Sequence, residues 1–221
     1  MIERILPSGV AVAEAFGDPA GAVLHPEEAA LVARSVDKRR REFTTVRHCA
    51  RRALGDLGYA PAPILPGPRG APRWPAGVVG SMTHCDGYRA AVLGRVDAFA
   101  AIGVDAEPHA PLPDGVLDAV ALPAERARTA QVAAERPGVC WDRLLFSAKE
   151  AVYKAWFPLT RRWLDFAEAD ITFDPRDGVF AARLLVPGPL IAGRPVGTFH
   201  GRYTVDGGLA LTAIALRHEQ R

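Results

Sequence analysis

The chain has 221 residues, of which 49% are hydrophobic and 24% charged, which excludes a disordered composition and allows one large domain or two small ones. Its 27 lysines and arginines nearly balance its 25 aspartates and glutamates, so the overall charge excludes a general nucleic-acid or membrane binder. Three cysteines without a CxxC pair argue against a disulfide framework and a structural zinc site: Cys49, Cys85 and Cys140.

The amino-terminal segment MIERILPSGVAVAEAF has no long apolar run and no cleavage site, and no stretch of the sequence is long and apolar enough to span a bilayer. We therefore expect a reduced, cytoplasmic protein that is neither exported nor inserted into a membrane.

The first half of the chain begins with helical periodicity over residues 25–58, which predicts two helices or one broken helix. Apolar residues recur there at helical spacing: Phe43, Val46, Ala50, Ala53 or Leu54, and Leu57. Residues 60–77 contain so many prolines and glycines that they predict an ordered connector without regular structure. Residues 78–94 and 98–107 then predict a hairpin or two adjacent strands, with a turn near Cys85-Asp86-Gly87 and an end at Pro108.

The second half repeats this order of helix and then strands. A helical stretch runs to about Arg136, and Trp141–Phe157 is the clearest helix of the chain. Its apolar positions are Leu144, Leu145, Ala148, Ala151 or Val152, and Ala155. The tail alternates polar and apolar residues around Asp206-Gly207-Gly208, which predicts a hairpin. The pattern predicts an α+β fold with two similar lobes, residues 1–110 and 111–221, that meet near residues 108–113.

Two charged residues of the clearest helix share one face. Glu150 and Lys154 are four residues apart, and Ser147 precedes them by one turn. A surface ion pair is the simplest interpretation of such a pair.

The segment AIGVDAE places two carboxylates on one side of a predicted strand. Alternation puts Gly103, Asp105 and Glu107 on the side opposite Ile102 and Val104. Two adjacent carboxylates and one remote glutamate, Glu150, suit Mg²⁺, which completes its shell with water and phosphate oxygens. The alternative is an edge strand that carries charges without binding an ion.

A magnesium site predicts a substrate with phosphate groups, and the first-half helix is strongly basic. Its basic residues are Lys38, Arg39, Arg40, Arg41, Arg47, Arg51 and Arg52. A single stripe along this helix joins Arg40, Thr44, Arg47 and Arg51, although a solvated face or a nucleic-acid contact would also explain it. His84 lies just before a turn, where its imidazole is placed to donate to a phosphate.

Several catalytic motifs are missing from the sequence. Cys85 adjoins His84, but neighbours on a strand point to opposite faces, which argues against a Cys–His dyad. There is no GxSxG elbow, Walker A loop or GxGxxG turn, so serine hydrolases, P-loop enzymes and dinucleotide enzymes are poorly supported.

Three motifs, which follow one another along the chain in the family's order, resemble those of the 4′-phosphopantetheinyl transferases. IGVDAE at 102–107 and FSAKEAVYKAW at 146–156 resemble the family's (I/V)G(I/V)D and (F/W)SxKE(A/S)xxK motifs, and GSMTHCDGYRAAVLG resembles its histidine-containing motif. KRRREFTTVRHCARRAL and KAWFPLTRRWLDF are similar to actinobacterial members related to the enterobactin-synthetase component, within the surfactin-type group. The resemblance covers residues 35–175. One departure is Ala71, in Gly70-Ala71-Pro72, where many members have a basic residue that Arg69 or Arg73 would have to replace.

The resemblance implies two pseudosymmetric α+β lobes with coenzyme A in the cleft between them and Mg²⁺, or Mn²⁺ in its place, on the pyrophosphate. It implies that the metal ligands are Asp105, Glu107 and Glu150. It implies that the nucleotide phosphates are held by Arg39, Arg47, Arg69, Thr83, His84 and Lys149. Glu150 would also be the general base, and Lys154 the donor to the leaving phosphate.

The reaction implied by the resemblance moves phosphopantetheine from coenzyme A to a serine of an apo acyl or peptidyl carrier protein, with release of adenosine 3′,5′-bisphosphate. The carriers are those of fatty-acid, polyketide or nonribosomal-peptide synthases, and we expect a monomer that binds neither nucleic acid nor membrane. We also expect Tyr153 and Trp163 to line the channel for the pantetheine arm, and Trp156 to belong to the core. The alternatives are another magnesium-dependent phosphotransferase or nuclease, and a basic nucleic-acid-binding module on residues 39–52.

Overall fold

Two antiparallel sheets, each covered by a long helix, form most of the fold. They are seen in a computed structural model that describes residues 1–218. The α-helices of this part of the chain are α1 (Pro26–Val32), α2 (Asp37–Asp56), α3 (Val116–Val120), α4 (Pro123–Glu135) and α5 (Trp141–Thr160). Short 3-10 helices lie at Ile2–Ile5, Pro68–Gly70 and Phe166–Glu168. Within residues 1–218, no helix combines the length and the apolar character that crossing a bilayer requires.

The strands fall into two main sheets and one small one. Their bounds are β1 (Ala11–Ala15), β2 (Val78–Cys85), β3 (Tyr88–Arg95), β4 (Phe99–Pro108), β5 (Ala169–Asp174), β6 (Val179–Leu184), β7 (Leu190–Ile191), β8 (Arg194–Pro195), β9 (Thr198–Asp206) and β10 (Leu209–Arg217). The first sheet has the order β1-β3-β2, the second has the order β4-β10-β9-β6-β5, and β7 and β8 pair separately. These elements confirm the predicted α+β class.

The first half packs α2 onto the three-stranded sheet. The residues 25–58 form two helices, α1 and α2, and the apolar positions predicted for the longer one are buried: Phe43, Val46, Ala50, Ala53 and Leu54. Ala50, Ala53 and Leu54 pack with Ala13, Ile64 and Leu93 in one apolar cluster, against which the predicted Leu57 is partly buried, as expected for an amphipathic helix on a sheet. Phe43 and Val46 line the cavity described below. The β2–β3 hairpin turns at Asp86-Gly87, which confirms the predicted turn.

The second half packs α5 onto the five-stranded sheet. Its predicted apolar face is buried, and Trp156 is fully buried in the same cluster, which confirms the prediction that it belongs to the core. The predicted tail hairpin is β9–β10, in which Asp206 pairs with Leu209. Both turn residues, Gly207 and Gly208, have positive φ angles of 57° and 77°, the conformation that makes glycine favourable in a two-residue hairpin turn.

Strand β4 joins the two halves. Its backbone pairs with β10 in the second sheet, although β4 precedes the predicted lobe boundary at residue 110. Its other edge contacts β2 through side chains: the Val104 N–H donates to Ser81 Oγ at 3.2 Å, and the Ala106 N–H donates to Thr83 Oγ1 at 3.0 Å. Because β4 contacts both halves, the exact boundary stays a prediction.

Gly103 sets the distance between β4 and α5. A Cβ atom at this position would lie 2.1 Å from the Ala151 carbonyl oxygen and 2.7 Å from the Ala155 nitrogen. The strand and the helix therefore touch at their backbones, and only glycine fits between them.

We expect Gly103→Ala to lower the free energy of unfolding by more than about 2 kcal/mol, because α5 would have to move away from β4. Urea unfolding followed by circular dichroism measures this loss. The control is Gly55→Ala in α2, where an added Cβ would meet nothing within 4 Å, and where alanine should stabilise the helix by about 0.5–1 kcal/mol. Equal effects at both positions would contradict the close approach.

Candidate active site

A cavity of about 850 Å³ lies between the two halves of the fold. It is within the range of pockets that hold small ligands. Residues from α1, α2, the connector and β2 line one side, and residues from β4 and α5 line the other. The predicted site residues that line it are Arg39, Arg47, Arg69, His84, Glu150, Tyr153 and Lys154.

Asp105 and Lys154 form the central ion pair of the α5 side. The Lys154 ammonium donates to Asp105 Oδ1 at 2.7 Å and to the Val104 carbonyl at 3.1 Å. Asp105 is buried behind Lys154, and within residues 1–218 its second oxygen, Oδ2, has no hydrogen-bond partner. Thr83 Oγ1 donates to Asp105 Oδ1 at 3.3 Å, so Thr83 holds this carboxylate instead of lining the cavity.

Glu150 lines the cavity one turn before Lys154 on α5. Burial raises the pKa of Glu150, the Lys154 ammonium lowers it, and the charge of Asp105 raises it again. A carboxylate with a raised pKa is a stronger proton acceptor than an ordinary glutamate.

Glu107 lies at the end of β4 and is held by an arginine. Burial raises the pKa of Glu107, and the charge of Asp105 adds to this effect, while Arg143 opposes it. The Arg143 Nη1 donates to Glu107 Oε2 at 3.0 Å, and its other two nitrogens donate to the carbonyls of Ala110 and Pro111 at 2.9 and 2.8 Å. Arg143 thus fixes both Glu107 and the segment that follows β4.

The three predicted metal ligands are electrostatically coupled through Asp105, whose charge raises the pKa of both glutamates. Within the described part of the chain, no three acidic, histidine or cysteine side chains are already arranged to hold an ion. The donor chemistry nevertheless fits Mg²⁺, since all three residues offer carboxylate oxygens and Asp105 Oδ2 is buried without a donor from the described residues.

The opposite side of the cavity carries Arg47. Its Nε donates to the Ile64 carbonyl at 3.0 Å, and its guanidinium carbon lies 3.1 Å from the centroid of the Phe43 ring. Burial lowers the pKa of Arg47 to about 10, and the nearby Glu28 carboxylate opposes that shift. Arg47 therefore stays charged near neutral pH.

Arg39 and His84 meet at the same side of the cavity. The Arg39 Nη1 lies 3.1 Å from His84 Nε2. Because a guanidinium can only donate, Nε2 accepts and the proton of the neutral ring is on Nδ1, 3.7 Å from the Glu42 carboxylate. Burial lowers the pKa of His84, while Glu42 raises it and Arg39 lowers it. In this arrangement the neutral imidazole orients Arg39.

Most other charges of the predicted basic stripe are paired within the protein. Arg40 contacts Asp37 and Arg51 contacts Glu28, while the Thr44 hydroxyl donates to the Arg40 carbonyl.

An aromatic group with one arginine stands at the edge of the cavity. The ring centroids of Tyr153 and Trp163 lie 5.0 Å apart, and the Arg69 guanidinium lies 5.2 Å from the Trp163 ring. Burial raises the pKa of Tyr153, and Arg69 opposes this; its hydroxyl has no hydrogen-bond partner within residues 1–218. Of the two arginines proposed to replace the basic residue at Ala71, Arg69 lines the cavity and Arg73 is outside its lining.

The structure does not bring Lys149 to the cavity. Its ammonium lies on another face of α5, 2.7 Å from the Glu125 carboxylate, and donates to the carbonyls of Phe166 and Ala169 at 2.6 and 3.0 Å. Both charged side chains are almost fully buried. These contacts hold Lys149 inside the second half and outside the cavity lining.

Sequence reasoning missed the cavity-lining Arg161 and four partners of these residues, which are Glu28, Glu42, Glu125 and Arg143. They lie far along the chain from the groups they contact, so no local spacing connects them. Glu28 and Glu125 do carry a local signal, because each follows a proline at the start of a helix, in HPEE and LPAE, and accepts the N-cap N–H of its own helix. Arg161 lines the cavity at the carboxyl end of α5.

Two family models match the chain and define its class. The model of the 4′-phosphopantetheinyl transferase N-terminal domain matches residues 27–94. The model of the 4′-phosphopantetheinyl transferase superfamily matches residues 101–192.

Curated relatives agree with this class over the whole chain. The chain is 58% identical to 4′-phosphopantetheinyl transferase Svp of Streptomyces mobaraensis, over 98% of this chain and 89% of the relative. It is 55% identical to 4′-phosphopantetheinyl transferase PptT of Mycobacterium tuberculosis, over 98% of each. Enterobactin synthase component D of Escherichia coli strain K12 is 34% identical over 53% of this chain and 55% of the relative. The chain belongs to the 4′-phosphopantetheinyl transferase family of transferase enzymes, which confirms the predicted resemblance.

We expect Lys149→Met to lower the free energy of unfolding by about 3–5 kcal/mol, because it leaves the Glu125 carboxylate buried without a cation. The matched control is Arg126→Met, which removes an exposed ion pair with Asp118 and should cost less than about 1 kcal/mol. Chemical denaturation measures both losses. If Lys149 instead held a phosphate, its replacement would weaken coenzyme A binding by the folded protein and leave stability nearly unchanged.

Proposed function

We propose that this protein transfers the 4′-phosphopantetheine group of coenzyme A to a serine of an apo acyl or peptidyl carrier protein, with Mg²⁺, and releases adenosine 3′,5′-bisphosphate. The names of its relatives support the transferase activity. The observation that carries the proposal is the cavity itself. It has basic residues on the α2 side and the Glu150–Lys154 face of α5, with Asp105 behind it, on the other.

The basic side suits the phosphates of coenzyme A. Arg39 and Arg47 line the cavity from α2 and Arg69 lines it from the connector, and His84 orients Arg39. Arginine binds phosphate oxygens with two parallel N–H groups, which makes this side suitable for a nucleotide that carries several phosphates.

Asp105, Glu107 and Glu150 would hold the magnesium ion. A bound ion supplies positive charge to the pyrophosphate as negative charge builds up on its oxygens. Three observations support these ligands: Asp105 Oδ2 has no hydrogen-bond partner among residues 1–218, and the pKa values of Glu107 and Glu150 are both raised. A nearby cation would lower both pKa values, so the ionised glutamates would no longer be disfavoured.

The α5 side chains act at the reacting phosphate. The carrier serine Oγ attacks the phosphorus that bears pantetheine, and the bond from that phosphorus to the oxygen of the departing nucleotide breaks. Glu150 accepts the serine proton, for which its raised pKa is suited. Lys154 donates to the leaving phosphate and neutralises its growing charge, since its ammonium already lies at the cavity wall.

The aromatic group suits the pantetheine arm. Tyr153 offers an apolar ring and a hydroxyl that no side chain or backbone group of the described chain binds, and Trp163 packs beside it with 53% of its surface exposed. We propose that both rings line the path of the arm. Because one chain supplies both sides of the cavity, we propose that the protein acts as a monomer.

The direct experiment incubates the protein with coenzyme A, Mg²⁺ and an apo carrier domain and follows the mass of the carrier. We expect a mass gain of one phosphopantetheine group. We expect Asp105→Ala and Glu150→Ala each to lower the transfer rate by at least about 100-fold without unfolding the protein, because each removes a charged group at the reacting phosphate.

The matched control for these variants is Glu135→Ala, on the exposed end of α4, which should transfer at the parental rate. Near-parental transfer by Asp105→Ala at limiting Mg²⁺ would exclude Asp105 as a ligand. Cleavage of nucleic acid without any mass gain on carriers would favour the nuclease alternative instead.

The arm path makes a separate prediction. Tyr153→Ala and Trp163→Ala should each weaken binding of coenzyme A by about three- to tenfold, because an aromatic wall contributes roughly 1 kcal/mol. Binding of adenosine 3′,5′-bisphosphate, which has no arm, should change little. Calorimetric titration measures the Kd of both ligands for each variant. An equal loss of affinity for both ligands would show that these residues contribute only to packing.

A further inference from the structure

Glu28 is a fully buried carboxylate that joins three segments of the first half. It accepts the N–H of His25 at 2.9 Å, at the start of α1, and the N–H of Ile64 at 2.7 Å, in the connector. The Arg51 Nη1, from α2, donates to both of its oxygens at 2.9 and 2.8 Å. Four hydrogen bonds thus fix this carboxylate in one position.

Arg47 is held by the same group of residues. Its Nε lies 3.8 Å from Glu28 Oε1 and donates to the carbonyl of Ile64, whose N–H Glu28 binds. Its Nη1 donates to the Phe43 carbonyl at 3.5 Å. Within residues 1–218, Nη2 donates to no protein acceptor in this arrangement, and Arg47 lines the cavity. Glu28 and Ile64 therefore decide where the remaining N–H groups of Arg47 point.

The Glu28 carboxylate does not neutralise the positive charge of Arg47, because it pairs more closely with Arg51. Arg51 contacts Glu28 directly, whereas Arg47 is farther away at 3.8 Å. The two arginines and one carboxylate carry a net charge of +1, and the arginine that reaches the cavity is the one in weaker contact with the acid. The group therefore presents one positive charge to the cavity.

We propose that Glu28 is a positioning residue for substrate binding, which fixes the Arg47 guanidinium so that its outer nitrogen faces a phosphate of coenzyme A. This inference rests on the proposed function. Glu28 touches neither substrate nor reacting atoms and acts through Arg47 and Ile64.

Two other roles for Glu28 predict different results. If Glu28 only neutralised charge, its replacement by glutamine would leave two uncompensated arginines and strengthen phosphate binding. If Glu28 only stabilised the fold, the folded protein would bind phosphate as before. Only the positioning role predicts weaker binding by a protein that is still folded.

The test compares Glu28→Gln with Glu27→Gln, an exposed glutamate in the same turn of α1. Both are titrated calorimetrically with coenzyme A and with adenosine 3′,5′-bisphosphate, at a temperature where circular dichroism shows both to be folded. We expect Glu28→Gln to raise the Kd of both ligands by about tenfold, as for a lost charged hydrogen bond. The KM for coenzyme A should rise with less than about a twofold change in kcat, and Glu27→Gln should match the parent.

A second variant keeps the test decisive if Glu28→Gln does not fold. Arg51→Met leaves Glu28 with Arg47 as its cation, which should draw Arg47 away from the cavity and raise the Kd by about three- to tenfold. Unchanged or tighter binding by the folded variant would overturn the inference. A parent protein that binds no coenzyme A would instead overturn the proposed function, whereas equal binding by the parent and Glu28→Gln would overturn this inference alone.

Discussion

Each half of this fold depends on one buried glutamate. Glu28 closes the first turn of α1, binds the Ile64 N–H and pairs with a cation of α2. Glu125 does the same in the second half: it closes the first turn of α4, binds the Ile171 N–H at 2.6 Å and pairs with Lys149 of α5. A buried carboxylate destabilises the fold without such partners. Glu28 therefore requires α1, α2 and the connector to meet at one point, and Glu125 requires the same of α4, α5 and β5. The order of elements predicted two similar halves, and this shared set of glutamate contacts is a physical feature that the two halves have in common.

The two halves use this shared arrangement differently. In the second half the cation, Lys149, donates to two carbonyls and is outside the cavity lining. In the first half Glu28 serves two arginines, and one of them, Arg47, reaches the cavity. The charged residues with which the second half lines the cavity, Glu150 and Lys154, come instead from another face of α5. Burial raises the pKa of Glu150 above its unfolded value of 4.5. The protonated side chain therefore favours the folded state fully below pH 4.5, and this stabilisation is lost as the pH rises through the folded pKa. At neutral pH an ionised Glu150 therefore lowers the free energy of unfolding, and the other interactions of the fold offset this loss.

Local patterns in the sequence predicted the secondary-structure elements and the face of α5 that carries Glu150 and Lys154, because both depend on spacing along one strand or one helix. Alternation placed Gly103 and Asp105 on one side of β4, and helical spacing placed Glu150 beside Lys154. The direction of Lys149 could not be predicted, since it neighbours Glu150 in sequence and only its distant partner Glu125 shows that it points elsewhere. The motif resemblance grouped Lys149 with the phosphate ligands for the same reason: a motif records residue types and not the face each one occupies.

The contact between β2 and β4 explains how two sheets can share one site without merging. If β2 bound β4 by a backbone ladder, the three-stranded and five-stranded sheets would form a single sheet. Instead the hydroxyls of Ser81 and Thr83 accept two of the N–H groups on that edge of β4, which satisfies these donors as a ladder would. Thr83 also donates to Asp105 at 3.3 Å. The Thr83 hydroxyl thus takes part in two contacts: it accepts an N–H of β4 in place of a backbone ladder, and it donates to the Asp105 carboxylate. The separation of the two sheets and the orientation of Asp105 therefore both depend on Thr83.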